Sequence, residues 1–239
     1  MIRLSADSGS TLRNLFADMD DKLVSSYLDG CMGDGWTDDA LSPTWGKIVV
    51  GDFGFLAGKP CREAVDELPP LVCCNAEWRN FLSQCRPVKI TDRYAFEKHT
   101  HFDRAALERY AKRWDVVPID HALYTRILAE DWCRDFVSVF RDWEHFVQCG
   151  AGFVVVENGM ILGGASSYAA FRNGIEIEVD THKEYRRRGI ATACAARLIL
   201  HCLDNGLYPD WDAANLASVG LAQKLGYTLL RKYPTVCIT

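Results

Sequence analysis

The chain has 239 residues, 49% of them hydrophobic and 25% charged, with a formal net charge of −5. That length and balance give enough apolar material for one large core or two small ones, and they exclude collagen-like, low-complexity and intrinsically disordered chains. The acidic balance, with a pI near 5.7, argues against nucleic-acid binding through bulk positive charge and leaves room only for a local basic site.

In chain order, Met1 to Asp21 holds no apolar run and turns acidic early, unlike a secretory signal. Ser10 to Leu28 carries Leu12, Leu15, Phe16, Met19, Leu23 and Leu28 at near-helical spacing and predicts one helix, stopped by Asp29-Gly30. Gly33 to Pro43 reads as a turn-rich loop, and Trp45 to Leu56 as strand around a Gly-Asp break. A short helix follows at Glu77 to Cys85, a strand at Arg93 to Phe96, and a helix from Asp103 to Trp114. Asp115 to Asp120 predicts a short strand, and His121 to Ala129 and Ser138 to Cys149 predict helices. Phe153 to Glu157, Met160 to Phe171 and Ile175 to Thr181 form three strands joined by turns at Asn158-Gly159 and Asn173-Gly174. The third alternates, with Ile175, Ile177 and Val179 on one face and Glu176, Glu178 and Asp180 on the other. After Tyr185-Arg186-Arg187-Arg188-Gly189 comes a helix to about Asp204. A short strand at Trp211 to Ala213, a helix at Leu216 to Leu225 with Gly226 as its C-cap, and a final strand or hairpin complete the chain.

Ten cysteines are the unusual feature of the composition. There is no CxxC pair, and the length exceeds that of disulfide-stapled scaffolds, so reduced and mostly buried thiols in a cytoplasmic protein are expected. Ile190, Cys194, Leu198 and Cys202 fall at helical spacing and read as a core stripe rather than as nucleophiles. His99 and His101 have no cysteine or carboxylate at zinc-ligand spacing, so no metal is expected. No window reaches the roughly 18 apolar residues of a membrane helix.

The junction at Arg186 to Thr192 carries the most chemistry. A strand ends, three arginines and a glycine follow, and a helix opens at once. The first turn of a helix presents unpaired N–H groups and the positive end of its dipole. Gly189 permits close approach, and the small Ala191 and Thr192 keep the way clear. This predicts a phosphate or pyrophosphate site that is neither a Walker loop nor a GxGxxG fingerprint.

Arg186-Arg187-Arg188-Gly189-Ile190-Ala191 resembles the [QR]-x-x-G-x-[GA] signature of the GNAT (GCN5-related N-acetyltransferase) superfamily. The segment from Asn215 to Tyr227 is similar to that family's N-x-x-[AS]-x-x-L-x-x-K-x-G-[FY] pattern. The order of elements from Trp114 onward also matches, and the segments 185–192 and 208–227 (YRRRGIAT and YPDWDAANLASVGLAQKLGY) more closely resemble a bacterial subgroup with an extra N-terminal region.

The resemblance implies an α/β (α+β) acyl-CoA N-acyltransferase fold, a mixed and mostly antiparallel sheet with flanking helices. It divides the chain into an N-terminal α/β region, 1–113, and a catalytic domain, 114–239. The first region is read as a degenerate copy of the fold or as a cap over the acceptor cleft. Acetyl-CoA is implied as cosubstrate. Val179, Asp180 and Thr181 would pair with its pantetheine arm. Arg187, Arg188, Gly189, Ile190, Ala191 and Thr192 would hold its pyrophosphate, and Asn215 and Ser218 would touch the arm.

The implied reaction is direct acetyl transfer to an amine, with a carboxylate as base. Glu178, Asp210 and Asp212 are equal candidates. The family's acid tyrosine falls at Ala222, so Tyr227, Tyr233 or Tyr168 serves instead, or the thiolate leaves without a dedicated acid. The partner implied is a small-molecule or peptide amine, with a homodimer left open and neither nucleic acid nor membrane implied. Competing readings are a non-catalytic acyl-CoA-binding protein, and an acyltransferase for a larger acyl group or a hydroxyl acceptor.

Overall fold

The computed structural model describes residues 1–4, 9–98 and 101–238. The chain forms two compact units, residues 1–93 with 232–239, and residues 94–231. The division falls inside β6 (Val88–Phe96) and inside β13 (Leu229–Ile238). The sequence-based boundary at 113/114 therefore lies within the second unit. That unit also claims α4 (Arg104–Ala111), which packs along α7 (Ile190–Asp204).

The first unit holds β1 (Ile2–Leu4), α1 (Gly9–Leu12), α2 (Lys22–Leu28), β2 (Asp34–Thr37), β3 (Trp45–Val50), β4 (Phe53–Gly58), β5 (Leu71–Cys74) and α3 (Ala76–Cys85). Its strands run in the order β1-β2-β3-β4-β5-β13-β6. The β4–β5 pair is parallel, and the β1–β2, β2–β3, β3–β4 and β5–β13 pairs are antiparallel. Trp45, Leu56, Val72, Trp78 and Leu82 form its core.

The single helix expected from Ser10 to Leu28 is two pieces. Asp21 accepts the Leu23 N–H at 2.8 Å and starts α2 afresh, so the apolar spacing spans a break. Part of the expected loop at 33–43 is β2, formed because it pairs in register with β3, a long-range cause that no local composition reports.

Asp38 shapes the turn into β3 by accepting the Thr44 N–H at 2.9 Å and the Thr37 hydroxyl at 3.1 Å, together with the Thr44 hydroxyl. Burial works against its charge, but hydrogen bonds from the Thr44 hydroxyl and amide outweigh it and hold the carboxyl below the usual carboxylate range. A depressed carboxyl stabilises the fold above its unfolded pKa and loses that contribution as pH falls through the folded value. Asp38→Ala is expected to cost about 1–2 kcal/mol at pH 7. In urea melts, the difference from wild type should shrink as pH drops below about 3.9.

The second unit holds β7 (Val116–Pro118), α5 (His121–Ala129), α6 (Trp143–Cys149), β8 (Gly152–Glu157), β9 (Met160–Phe171), β10 (Gly174–Thr181), α7, β11 (Tyr208–Asp210), β12 (Asp212–Ala213) and α8 (Leu216–Leu225), besides α4. Its five-stranded sheet runs β11-β10-β9-β8-β7, antiparallel except for the parallel β10–β11 pair. The last residues of β6, Tyr94 and Ala95, pair with β12. The helix expected at 138–149 is shorter, because Asp142 caps it through the His145 N–H at 2.8 Å.

Small residues let both faces of β9 be approached closely. A Cβ on Gly163 would lie 2.7 Å from Ile190, and one on Gly164 would lie 2.7 Å from Phe136. The start of α7 thus sits directly against the sheet on one face, and the turn at 134–136 covers the other. The predicted stripe of Ile190, Cys194, Leu198 and Cys202 is buried throughout. Each large aliphatic side chain there contributes roughly 1.5–3 kcal/mol of burial, which fixes the helix on the sheet.

Candidate active site

The basic loop and the helix after it form the centre of the site. Gly189 is the N-cap of α7, at φ 84°, and gives the helix no side-chain cap. The first-turn amides therefore have no partner of the usual kind, and the first turn holds no acid. A Cβ at Gly189 would meet no atom within 4 Å. Arg187 is also left-handed, at φ 66°, a conformation that costs a non-glycine residue about 1 kcal/mol.

Brackets hold the loop in this shape. The Arg186 Nε donates to the Thr181 carbonyl at 3.1 Å, and its guanidinium pairs with Asp180 at 3.5 Å. The Trp114 indole N–H donates to the Arg188 carbonyl at 3.3 Å, and the Arg188 guanidinium lies 5.0 Å from the Tyr185 ring. From α8, Lys224 reaches the Thr192 hydroxyl at 3.4 Å and lies over the Tyr110 ring, which Arg113 also faces.

The strand before the loop presents an open edge. β11 pairs with β10 only at Gly174, Ile175 and Glu176. Opposite the Glu176–Ile177 step, β9 carries an extra residue, Tyr168. The burial of β10 changes at the same place, with four buried residues followed by half-buried Glu178, Val179 and Asp180. The Thr181 N–H goes to the Asp180 carboxylate at 2.7 Å, and the Thr181 carbonyl goes to Arg186, whereas the His182 N–H bonds to Leu162 of β9. Backbone groups alternate along a strand. Hence the N–H and C=O of Val179, like those of Thr181, point to the side that β11 has left.

The carboxylates share a face. Glu178 pairs in register with Ser166, whose hydroxyl donates to Phe136 at 2.6 Å. Glu176, Glu178 and Asp180 thus lie on the face away from α7, and Asp210, opposite Glu176, joins them. Glu176 is buried, while Glu178 and Asp210 are half-buried. Asp212 pairs with Ala95 after the chain has moved to β6.

Asn215 caps α8 through the Ser218 N–H at 3.0 Å, and the Ser218 hydroxyl accepts the Trp211 indole N–H at 3.1 Å. Tyr227 is buried, and its phenol donates to the Pro209 carbonyl at 2.8 Å. Tyr168 is buried, Tyr233 belongs to the first unit, and Ala222 is fully buried in the core. Burial pushes the Cys194 and Cys202 thiols up to about 12, which leaves neither as a nucleophile at neutral pH. His101 is exposed, and His99 lies outside the described residues. Among the described residues, no group of three His, Cys, Asp or Glu side chains could hold a metal, and no helix is long and apolar enough to cross a membrane.

The family model for GNAT acetyltransferase matches residues 13–236. The chain belongs to the GNAT acetyltransferase family. A GCN5-related N-acetyltransferase-like protein from Streptococcus suis is 39% identical, with 97% of this chain and 98% of that one covered at a TM-score of 0.92. The uncharacterized N-acetyltransferase YdfB of Bacillus subtilis is 34% identical over 90 residues, 37% of this chain. That match spans about a third of the relative's own length, 34%. A GCN5-related N-acetyltransferase from Kribbella flavida, 11% identical over 98% of this chain and 95% of that one, shares the fold at a TM-score of 0.54. These likenesses bear out the GNAT fold expected from the two sequence motifs.

At this candidate site of a GNAT chain, Tyr110, Trp114 and Lys224 had no role assigned from sequence alone, although Lys224 lies inside the second family motif. Tyr110 and Trp114 stand four apart, so a helical pattern puts them on one side, but nothing local names the loop as their partner. Trp114→Phe removes the bond to the Arg188 carbonyl and leaves the strain at Arg187 less well opposed. The KM for acetyl-CoA is expected to rise about fivefold with kcat unchanged, the effect of one hydrogen bond near 1 kcal/mol, measurable by steady-state kinetics.

Proposed function

We propose that the second unit binds acetyl-CoA along the open edge of β10 and transfers its acetyl group directly to an amine on the carboxylate face. The observation that carries this reading is the stretch from Ile177 to Thr181, an edge without a β11 partner that leads through the basic loop to the uncapped first turn of α7. An extended chain bearing amides can add to such an edge as a strand does. Val179 would bond the pantetheine arm, with Asp180 and Thr181 beside it. The amides of Arg187, Arg188, Gly189, Ile190, Ala191 and Thr192 would hold the pyrophosphate, and the dipole of α7 adds to the attraction. Asn215 and Ser218 would flank the arm from the start of α8.

When bound, acetyl-CoA supplies an activated acyl group as its thioester. A backbone N–H on the open edge of β10 would polarise the thioester carbonyl. Holding amine and acyl group together supplies much of the rate. Glu178, with Asp210 and Asp212 as competitors, would take the proton from the incoming ammonium. The burial of Ala222 and the commitment of the Tyr227 phenol to Pro209 support a thiolate that leaves without a dedicated tyrosine acid.

The alanine at 222, where the family's acid tyrosine falls, also favours a second reading, a non-catalytic acyl-CoA-binding protein. A panel of primary amines with acetyl-CoA and a thiol reagent separates the two. Release of CoA dependent on an amine supports transfer. Calorimetric binding of acetyl-CoA with no thiol release on any amine would reject transfer and leave the binding protein.

A further inference from the structure

We propose that Tyr227 is a positioning residue whose phenol latches the outer edge of β11 and so keeps the gap between β10 and β11 open for the acetyl-CoA arm. The role rests on the acetyl-CoA reading above. The Tyr208 N–H donates to the Asn173 carbonyl at 2.8 Å, so the backbone of Tyr208 faces β10. Alternation then turns Pro209 away from β10. On that outer side Pro209 has no N–H to place, only a carbonyl, and the residue is buried. The carbonyl takes the Tyr227 hydroxyl.

The phenol is itself rigidly held. Gly226, at φ 111°, ends α8 and delivers Tyr227 into a cluster of rings. Ring centres of Phe96, Phe102 and Trp211 lie 5.9, 5.1 and 5.5 Å away. Burial first, then nearby Tyr208 and Asp210, raise the phenol well above its ordinary pKa, so it remains a donor across the working range. β11 is therefore braced from behind by an aromatic anchor. Its pairing with β10 stops at Asp210, and past Trp211 the residues Asp212 and Ala213 pair with Ala95 and Tyr94. Without the hydroxyl, a buried carbonyl loses its donor, and movement of β11 is the cheapest relief.

The test is Tyr227→Phe, which keeps every ring contact. The acetyl-CoA dissociation constant, measured by calorimetry, should rise about tenfold, while kcat at saturating acetyl-CoA stays within about threefold and the pH–rate profile keeps its shape. Unchanged affinity in the folded variant would overturn the latch. So would unchanged affinity joined to a lower kcat and a lost basic limb, the mark of a general acid. Site-specific 3-fluorotyrosine at 227 keeps the hydroxyl and makes it more acidic, and it holds the proposal to account even if the phenylalanine variant does not fold. Affinity within about twofold of wild type and an unmoved basic limb support the latch, and a displaced limb overturns it. Failure of the wild-type protein to bind acetyl-CoA would instead reject the cofactor reading, and the latch with it.

Discussion

Gly189→Glu is expected to abolish acetyl-CoA binding, with a loss of at least about 100-fold in affinity, or near 3 kcal/mol. Two effects add. Gly189 sits at φ 84°, where an L residue is strained by about 1–2 kcal/mol. The glutamate would also place a negative charge at the helix end proposed to hold the pyrophosphate, so that attraction from the α7 dipole would be offset by like-charge repulsion. Folding should survive, because a Cβ at Gly189 meets no atom within 4 Å. Gly189→Ala separates the two causes, since it carries the strain without the charge and should weaken binding only about 5- to 30-fold. Calorimetric titration with acetyl-CoA checks both variants, and a thermal melt confirms that each is folded. Unchanged affinity in folded Gly189→Glu would remove the loop from the cofactor site.

The expectation for Gly189 was legible in the sequence because the signal is local. A strand, a basic turn with glycine and a helix start follow one another within a few residues, and no distant contact is needed to read them. The same holds for α8, whose limits are marked by Asn215 and Gly226, and for the turn at Asn158-Gly159, where both residues are left-handed. Local signals also misled. The apolar spacing of Leu12, Leu15, Phe16 and Leu23 concealed a break, because a periodic pattern does not register that Asp21 caps a new helix. The turn at Arg172-Asn173 forms without a left-handed residue, so the Asn173-Gly174 motif marked a hairpin but not its geometry. What the sequence could not carry were the long-range partners. The bond from Trp114 to Arg188 and that from Tyr227 to Pro209 join residues 74 and 18 positions apart. Such pairs are settled by strand register and by how helices seat on the sheet. Both are products of the whole core rather than of any one segment.

Glu178→Gln is expected to lower kcat about 10²- to 10³-fold at neutral pH, with the acetyl-CoA KM unchanged. The choice among the carboxylates follows from where β10 loses its neighbour. Glu176 is buried and directly opposite Asp210, within the paired part of the strand. Asp212 has already crossed to β6. Glu178 alone of the three shortlisted acids stands on the segment beyond the last β11 pairing, half-buried, on the face away from α7. In the proposed complex, an amine that approaches from this face would meet its carboxylate, while the acyl group would be held along the edge by backbone. Glutamine preserves shape and hydrogen bonding but cannot accept the proton as a base, so binding of acetyl-CoA should be spared and chemistry lost. The base must be ionised to take the ammonium proton, so the wild-type rate should fall on the acid side of the profile, and in the variant that fall should move up toward the pKa of the free amine. Asp210→Asn and Asp212→Asn should each cost less than about tenfold and keep the limb. A large loss at Asp210→Asn with Glu178→Gln near wild type would move the base to β11. A profile insensitive to all three would exclude the shortlist, and the proton would then leave through water or through the acceptor itself.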